Sequence, residues 1–410
     1  MTNIIKIKDA KYIFEYVDVV YENDKICIDI EFYRWEQMQE LKIFMKEIFN
    51  KYGLKPIKNN MNSNIDNIVA RMLFESYSTD KIENLTDGLF NIVKDSKSII
   101  NDIKTAFICN KNTTEAQLNK MYSELLIDLD MDARIHKILQ TITKLNKEVK
   151  SNTNSTANPT AKSNTVYKIY KKNSFKVEIA YQNKTLELNI PITIYEKLCK
   201  RFKEYNKKHP HSIPCDELVI CLMLRYNSLG SMGNQMGIPI PIKNRLKKCS
   251  IHFEGFASSL NHFYKYYCSM FYDIEKYFMS LGPFQNINYI KGIYLLNPPY
   301  EKNLLEHMIN IIIDKLSTSK HDICFVFGTP TWKKYKEIKF HTKVKNSVYY
   351  KKHFEFNDYE VPWYDFIREM IIKIPSSTRY ILSNYDIDLD CIIKSIETWR
   401  ISGRTASRKK

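Results

Sequence analysis

The tetrapeptide Asn297-Pro298-Pro299-Tyr300 carries the most specific chemistry in this chain. An exocyclic amine on a nucleobase is a poor nucleophile, because its lone pair is delocalised into the ring. The side-chain carbonyl of Asn297 and the backbone carbonyl of Pro298 can each accept one N–H of such an amine. That favours a pyramidal nitrogen whose lone pair is aimed at an electrophile. The two prolines stiffen the loop and remove N–H donors that would compete. Tyr300 offers a ring on which a base stacks, worth about 1–3 kcal/mol. The four residues directly follow the apolar run Gly292 to Leu296 and precede an amphipathic stretch that opens at Glu301. Ligands of open α/β sheets bind at the carboxyl ends of strands, where this spacing puts them. A plain proline-rich helix entry has the same outline.

The pattern [D/N/S]-P-P-[Y/F/W] after a strand marks methyltransferases that act on the amino group of adenine or cytosine. The electrophile is then the methyl of S-adenosylmethionine, whose sulfonium leaving group needs no metal. A second segment fits the donor: Ile251 to Asn261, IHFEGFASSLN, follows a strand-like run and leads into helix-like text. Glu254 is expected to hold the amino group or ribose of the donor. Phe256, Ala257, Ser258 and Asn261 follow it, with small residues where close approach of the backbone is needed. Asp273 receives the ribose hydroxyls if residues 268–271 are the second strand; otherwise it is a helix N-cap.

The elements that must position these residues read as two kinds of text. Residues 1–150 are expected to be mainly helical, with helices over 70–99 and 115–150 and a short β element near 25–32. Leu118, Met121, Leu125, Leu126 and Leu129 form one stripe. Residues 151–165, SNTNSTANPTAKSNT, are a polar linker or loop. Residues 166–248 carry a hairpin (174–181 and 185–190) and two helices, from Pro191 to about 207 and from Pro214 to 225. From 249 to 400 strands and helices alternate: strand 249–256, helix 260–270, strand 292–296, helix 301–316, strand 322–327, helix 361–374, strand 378–382. Such alternation means βαβ units and a mostly parallel sheet, a Rossmann-like α/β core. Residues 401–410 are a basic tail.

Composition sets the class of partner. The 410 residues hold 62 Lys and Arg against 46 Asp and Glu, a formal net charge of +16. That surplus points to a polyanion, though the Asn, Lys, Ile and Tyr bias of an AT-rich genome contributes to it. No run of about 18 apolar residues is present, so no membrane span is expected, and the N-terminus does not read as a secretory signal. The nine Cys include no C-x-x-C pair, which argues against a zinc knuckle or a disulfide framework and fits a reducing, intracellular compartment. His209 and His211 lack a ligand cluster and read as a solvated loop. No metal site is expected.

FEGFASSLNHFYKYYCSMFYDIEKYFMSLGPF, GIYLLNPPYEKNLLEHM and ICFVFGTPTW together resemble the core of the cap-specific adenosine N6-methyltransferases, the phosphorylated CTD-interacting factor family. LRYNSLGSMGNQMGIP is similar to that family's lead-in. The resemblance runs from about Leu222 to Trp332 and more weakly to Tyr385. It implies a helical domain packed on a Rossmann-like domain. It also implies S-adenosylmethionine-dependent methylation at N6 of the adenosine beside the mRNA 5′ cap, preferably one already 2′-O-methylated. Asn297, Pro298, Pro299 and Tyr300 match the family's catalytic motif, with Tyr where animal members have Phe. Trp332 matches an aromatic near the acceptor. Trp35, Trp332, Trp363 and Trp399 have no WW spacing, so binding to a phosphorylated polymerase tail is doubtful. The shortened form and AT-rich text suggest a viral or protist member, in a nucleus, host cytoplasm or virion.

Trp332 to Phe354 is dense in cations and aromatics, from Lys333 and Lys334 to Lys351 and Lys352. Following a strand, it is expected to overhang the site, as a grip for single-stranded RNA or as a solvated loop of a Lys-rich chain. Two other functions remain open: a DNA adenine N6-methyltransferase, or a catalytically silent RNA- or polymerase-binding factor.

Overall fold

A computed structural model of the chain describes residues 4–9, 11–17, 20–21, 26–57, 60–75, 84–85, 87, 89–90, 96–108, 114–153, 165–181, 184–230, 235–331, 340–356, 360–364, 369–373 and 377–407. The chain opens with strands β1 (Ile4–Lys8), β2 (Ile13–Val17) and β3 (Val20–Tyr21). A mainly helical stretch follows: α1 (Ile28–Lys51), β4 (Lys55–Pro56), α2 (Met61–Glu75), β5 (Asn84–Leu85), α3 (Ser96–Ala106), β6 (Phe107–Ile108), α4 (Glu115–Leu129) and α5 (Met131–Thr153). Next come β7 (Thr165–Lys171), β8 (Ser174–Tyr181) and β9 (Lys184–Pro191), then α6 (Ile192–Asn206), α7 (Cys215–Leu229) and α8 (Ile240–Lys248). The remainder is β10 (Phe253–Glu254), β11 (Tyr266–Tyr267), α9 (Tyr272–Glu275), β12 (Ile287–Leu296), α10 (Lys302–Thr318), β13 (Ile323–Pro330), α11 (Phe340–Lys345), β14 (Tyr350–Phe356), β15 (Glu360–Tyr364), β16 (Glu369–Lys373), β17 (Ser377–Ser383) and α12 (Asp390–Ser407).

One mixed sheet positions the site. β11, β10, β12 and β13 are parallel neighbours. β17 is antiparallel to both β13 and β14, so β14 runs in the direction of β13. One edge of β12 is shared: its first half pairs antiparallel with β2, and Leu295 pairs with Glu254 of β10. The change of partner falls next to Gly292, at φ +132°, where a Cβ would stand 2.4 Å from the Tyr12 ring. Only glycine permits both that backbone and that contact. β13 is buried throughout and reads as an unbroken apolar run, as a strand covered on both faces must. Tyr294, Leu296, Phe325 and Phe327 meet Leu305, Met308 and Ile312 of α10 on one face. Leu295, Cys324 and Val326 meet Ile242 and Leu246 of α8 and Ile392, Ile396 and Trp399 of α12 on the other.

A buried ionic cluster ties the helical part to this sheet. Arg225 of α7 donates to both oxygens of Glu31 on α1, at 3.0 and 2.6 Å, and to both oxygens of Asp273 on α9, at 3.1 and 2.8 Å. Arg34 pairs with Glu31 and with Asp87, the latter at 2.9 and 2.6 Å. All five side chains are buried. Burial alone would push the Asp87 carboxyl up, but the guanidinium groups of Arg34 and Arg225 hold it below the usual carboxylate range. Asp273 is therefore the second residue of a helix turn, with its carboxylate committed to Arg225, and is neither a ribose ligand nor an N-cap.

Several sequence expectations change. Residues 28–32 begin a helix, not a strand: Ile28 and Phe32 face one core and Ile30 another, so a helix buried on two sides mimics alternation. No single helix spans 70–99; α2 ends at Glu75 and α3 begins at Ser96. Residues 260–270 form a turn and the short β11, because only eleven residues separate β10 from β11. Residues 361–374 give the hairpin β15–β16. The linker text is helical to Thr153 and extended from Thr165, its remainder lying outside the described residues. The tail is helical to Ser407. Residues 4–17, within the stretch read as a helical domain, add two strands to the sheet. The structure also contains a disulfide, Cys249–Cys391. Its partners lie 142 residues apart, so tertiary packing chose the pair. Among the described residues no cluster could hold a metal ion, and no helix is long and apolar enough to cross a membrane.

Replacing Arg225 by Met leaves Glu31 and Asp273 buried without their shared cation. The expected loss of stability is about 3–5 kcal/mol, read as a lowered urea midpoint with an unchanged slope.

Candidate active site

Asn297 follows the last residue of β12, and Glu301 closes the tetrapeptide by capping α10. The Glu301 carboxylate accepts from the backbone N–H of Asn303 at 3.0 Å and of Leu304 at 2.6 Å. Asn303 in turn bonds to Glu75 of α2. The NPPY turn is thus held between the central strand and a capped helix, the context its sequence predicts.

A narrow cleft opens beside it. Its walls are Glu254, Phe256, Asn261, Leu295 and Asn297, with Met236, Gly237, Ile238 and Lys243 opposite. Three of the residues read from sequence as donor-side, Glu254, Phe256 and Asn261, therefore share one cavity with Asn297, at the carboxyl ends of β10 and β12. Ala257 and Ser258 form the adjoining turn. The Ala257 N–H donates to Cys268 O at 3.0 Å, and the Ser258 N–H donates to Asn261 Oδ1 at 2.8 Å. Trp332, Lys333 and Lys334 lie outside the described residues. Lys343, Lys351 and Lys352 are not in an overhanging loop. Lys343, on α11, donates to Asn310 of α10. β14 runs with β13, and through Ile381 and Val326 Lys352 lies level with Leu295, but three strands across the sheet from β12. His211 packs against the rings of Phe202 and Tyr277.

Sequence reasoning missed five residues. Lys243 forms an ion pair with Glu254 at 2.6 Å, while Glu254 also accepts from the N–H groups of Phe263 and Tyr264. Gln235 accepts from Ser258 Oγ at 2.8 Å through its side chain and from Asn261 Nδ2 at 3.1 Å through its backbone. It is 7% exposed, and its Nε2 has no partner among the described residues. Glu275 of α9 supports the donor turn from beneath, accepting from Ser259 N–H at 2.7 Å, Phe271 N–H at 3.0 Å and the Tyr226 hydroxyl at 3.1 Å. Arg379 of β17 donates through Nη1 to Asn297 Oδ1 at 2.9 Å. Burial pulls that guanidinium below its ordinary value, partly offset by its electrostatic interaction with Tyr300. The fifth, Gly328, faces Arg379 across the ladder. For Gln235 the signal was its place in the quoted lead-in; for Lys243 and Arg379 no local pattern exists.

Burial pushes the Glu275 carboxyl up to about 7, against the N–H groups that favour its charged form. The folded state then holds a proton that the unfolded chain releases above about 4.5. Its contribution is present below that value and lost as pH rises to about 7, a change of about 3 kcal/mol. Glu275→Gln is expected to flatten this fall in stability, measured by urea unfolding at intervals from pH 4.5 to 7.5.

Comparison with known proteins agrees with this geometry. Residues 193–365 match the sequence model described as "Phosphorylated CTD interacting factor 1 WW domain". Here that span runs from α6 to β15 and holds the whole cleft; its tryptophans are Trp332 and Trp363. The chain is 30% identical over 122 residues to the mRNA (2′-O-methyladenosine-N(6)-)-methyltransferases of Mus musculus and Homo sapiens. The aligned part is 28% of this chain and 17% of each relative's length. Through this stretch the chain is similar to the phosphorylated CTD interacting factor family, and the alignment spans well under two thirds of the mouse and human relatives.

Proposed function

We propose that this protein methylates N6 of the adenosine beside the 5′ cap of mRNA, using S-adenosylmethionine and preferring a 2′-O-methylated acceptor. The observation that carries the reading is the cleft that brings Glu254, Phe256 and Asn261 to Asn297. The activity named for the mouse and human relatives supports it. A Rossmann-like reading draws support from the parallel strands β11, β10, β12 and β13, with the cleft at their carboxyl ends between β10 and β12.

The residues lining the cleft suit the chemical groups of the donor. The cleft combines an ammonium–carboxylate pair, Lys243 and Glu254, with Asn261, whose amide is held by Gln235, a residue whose own Nε2 has no partner among the described residues. Glu254, Lys243 and Asn261 would hold polar groups, and Phe256 and Ile238 would hold the apolar ones. S-adenosylmethionine supplies a methyl carbon on a sulfonium, so transfer to N6 breaks the carbon–sulfur bond and releases one amine proton. Asn297 Oδ1 and the Pro298 carbonyl accept the N–H groups of the adenine amine and orient its lone pair into the cleft. Tyr300 supports the ring. Orientation and preorganised dipoles together are the catalytic contribution of the chain.

With labelled donor, capped RNA starting with A is expected to be labelled, and capped RNA starting with G or uncapped RNA is not. Equal labelling of all three would sink the reading; preference for duplex DNA would favour a DNA adenine methyltransferase. Asn297→Ala should lower transfer by about 100-fold or more while donor affinity stays within a few-fold. If the +16 charge grips RNA, log affinity should fall linearly with log salt.

A further inference from the structure

We propose that Arg379 is the positioning residue of the NPPY turn, setting the Asn297 amide so that its oxygen, not its nitrogen, faces an adenine amine. The role rests on the methyltransferase reading; the contact itself does not.

Arg379 is 3% exposed and stands over the Trp399 ring at 5.1 Å. Its other surroundings include the apolar side chains of Leu296, Val326 and Phe327. It holds the first residue of the tetrapeptide through Nη1 to Asn297 Oδ1 at 2.9 Å, and it interacts electrostatically with Tyr300 at the other end. Gly328, its partner across the β13–β17 ladder, provides the space: a Cβ there would stand 1.5 Å from Nη1. Its glycine is therefore a clearance and not a backbone requirement.

The physical need is specific. A carboxamide turned end for end would offer an NH₂ group to an amine that is itself a donor, and two donors repel. A permanent cation that only donates selects the oxygen of the amide. That oxygen has a second lone pair, which remains for the substrate N–H. The rigid guanidinium fork fixes the Asn297 amide in plane, whereas an ammonium on a flexible stem does not. The Tyr300 hydroxyl also gives this chain a contact that a Phe at the position lacks.

The test uses full-length protein labelled with 15N-asparagine. The Asn297 side-chain amide is assigned by its loss in Asn297→Ala. Gly328→Ala keeps the arginine but displaces its guanidinium; Arg379→Lys is the second variant should the added Cβ unfold the sheet. Each is expected to move the Asn297 amide signal. Each should also lower kcat on A-start capped RNA by about 10–100-fold, with the RNA KM and donor affinity changed less than threefold. An unmoved amide signal in a folded variant overturns the proposal, whether or not the wild type methylates RNA. A moved signal with full kcat overturns it as well. A wild type that labels no RNA sinks the functional reading alone, and the amide signal still decides whether Arg379 sets Asn297.

Discussion

The bonds of Arg225 are the constraint on which the rest of the molecule depends. One guanidinium, with no access to water, joins α1 through Glu31 and α9 through Asp273. Charges so buried are stable only when paired with good geometry, and here geometry requires three separate elements to converge. The next residue on α7, Tyr226, and the next acid on α9, Glu275, then bond to each other. Glu275 carries the consequence to the Ser259 N–H and hence to the donor turn. The shape of that turn is thus imposed from the helical side of the molecule.

The other wall of the cleft is imposed by the sheet. β12 exchanges its partner β2 for β10 partway along, next to a glycine that lets the Tyr12 ring lie against the strand. Without that exchange β10 would have no edge to pair with, and Glu254 would not lie level with Leu295, two residues before Asn297. β13 and β17 supply the remaining side, with Gly328 and Arg379 opposite one another. Catalytic orientation at Asn297 is in this view a product of strand register. A shift of one residue would turn Arg379 to the other face.

Much of this was legible in the chain, and unevenly. The β12–α10–β13 unit was readable because a continuous apolar run, a proline turn and an amphipathic helix follow one another without interruption. The hairpin β8–β9 and helices α6 and α7 were readable for the same reason. Helix α1 was not, because burial on two sides erases the one-sided stripe that marks a surface helix. Residues 361–374 carry an apolar pattern too short to separate helix from strand. Asp273 looked like a ligand because an acid after a strand is one often enough; its real partner, Arg225, stands in the quoted lead-in with nothing beside it to say which acid it meets. The cations of residues 343–352 were assigned to the site by position in the chain, while the strand order places β14 three strands from β12.

The sequence by itself determined where the candidate site lies, because four consecutive residues, Asn297 to Tyr300, contain two carbonyl acceptors and an aromatic ring. It also determined that a strand precedes them and a helix follows. Only the tertiary structure decided what holds those residues in place. Asn297 meets Arg379 across 82 residues of chain, and Arg225 meets Asp273 across 48 and Glu31 across 194. Such pairs are chosen by packing and by the need to satisfy buried charge. Neither leaves a local pattern, since nothing in the neighbours of Arg379 or Arg225 along the chain states which acceptor will stand opposite.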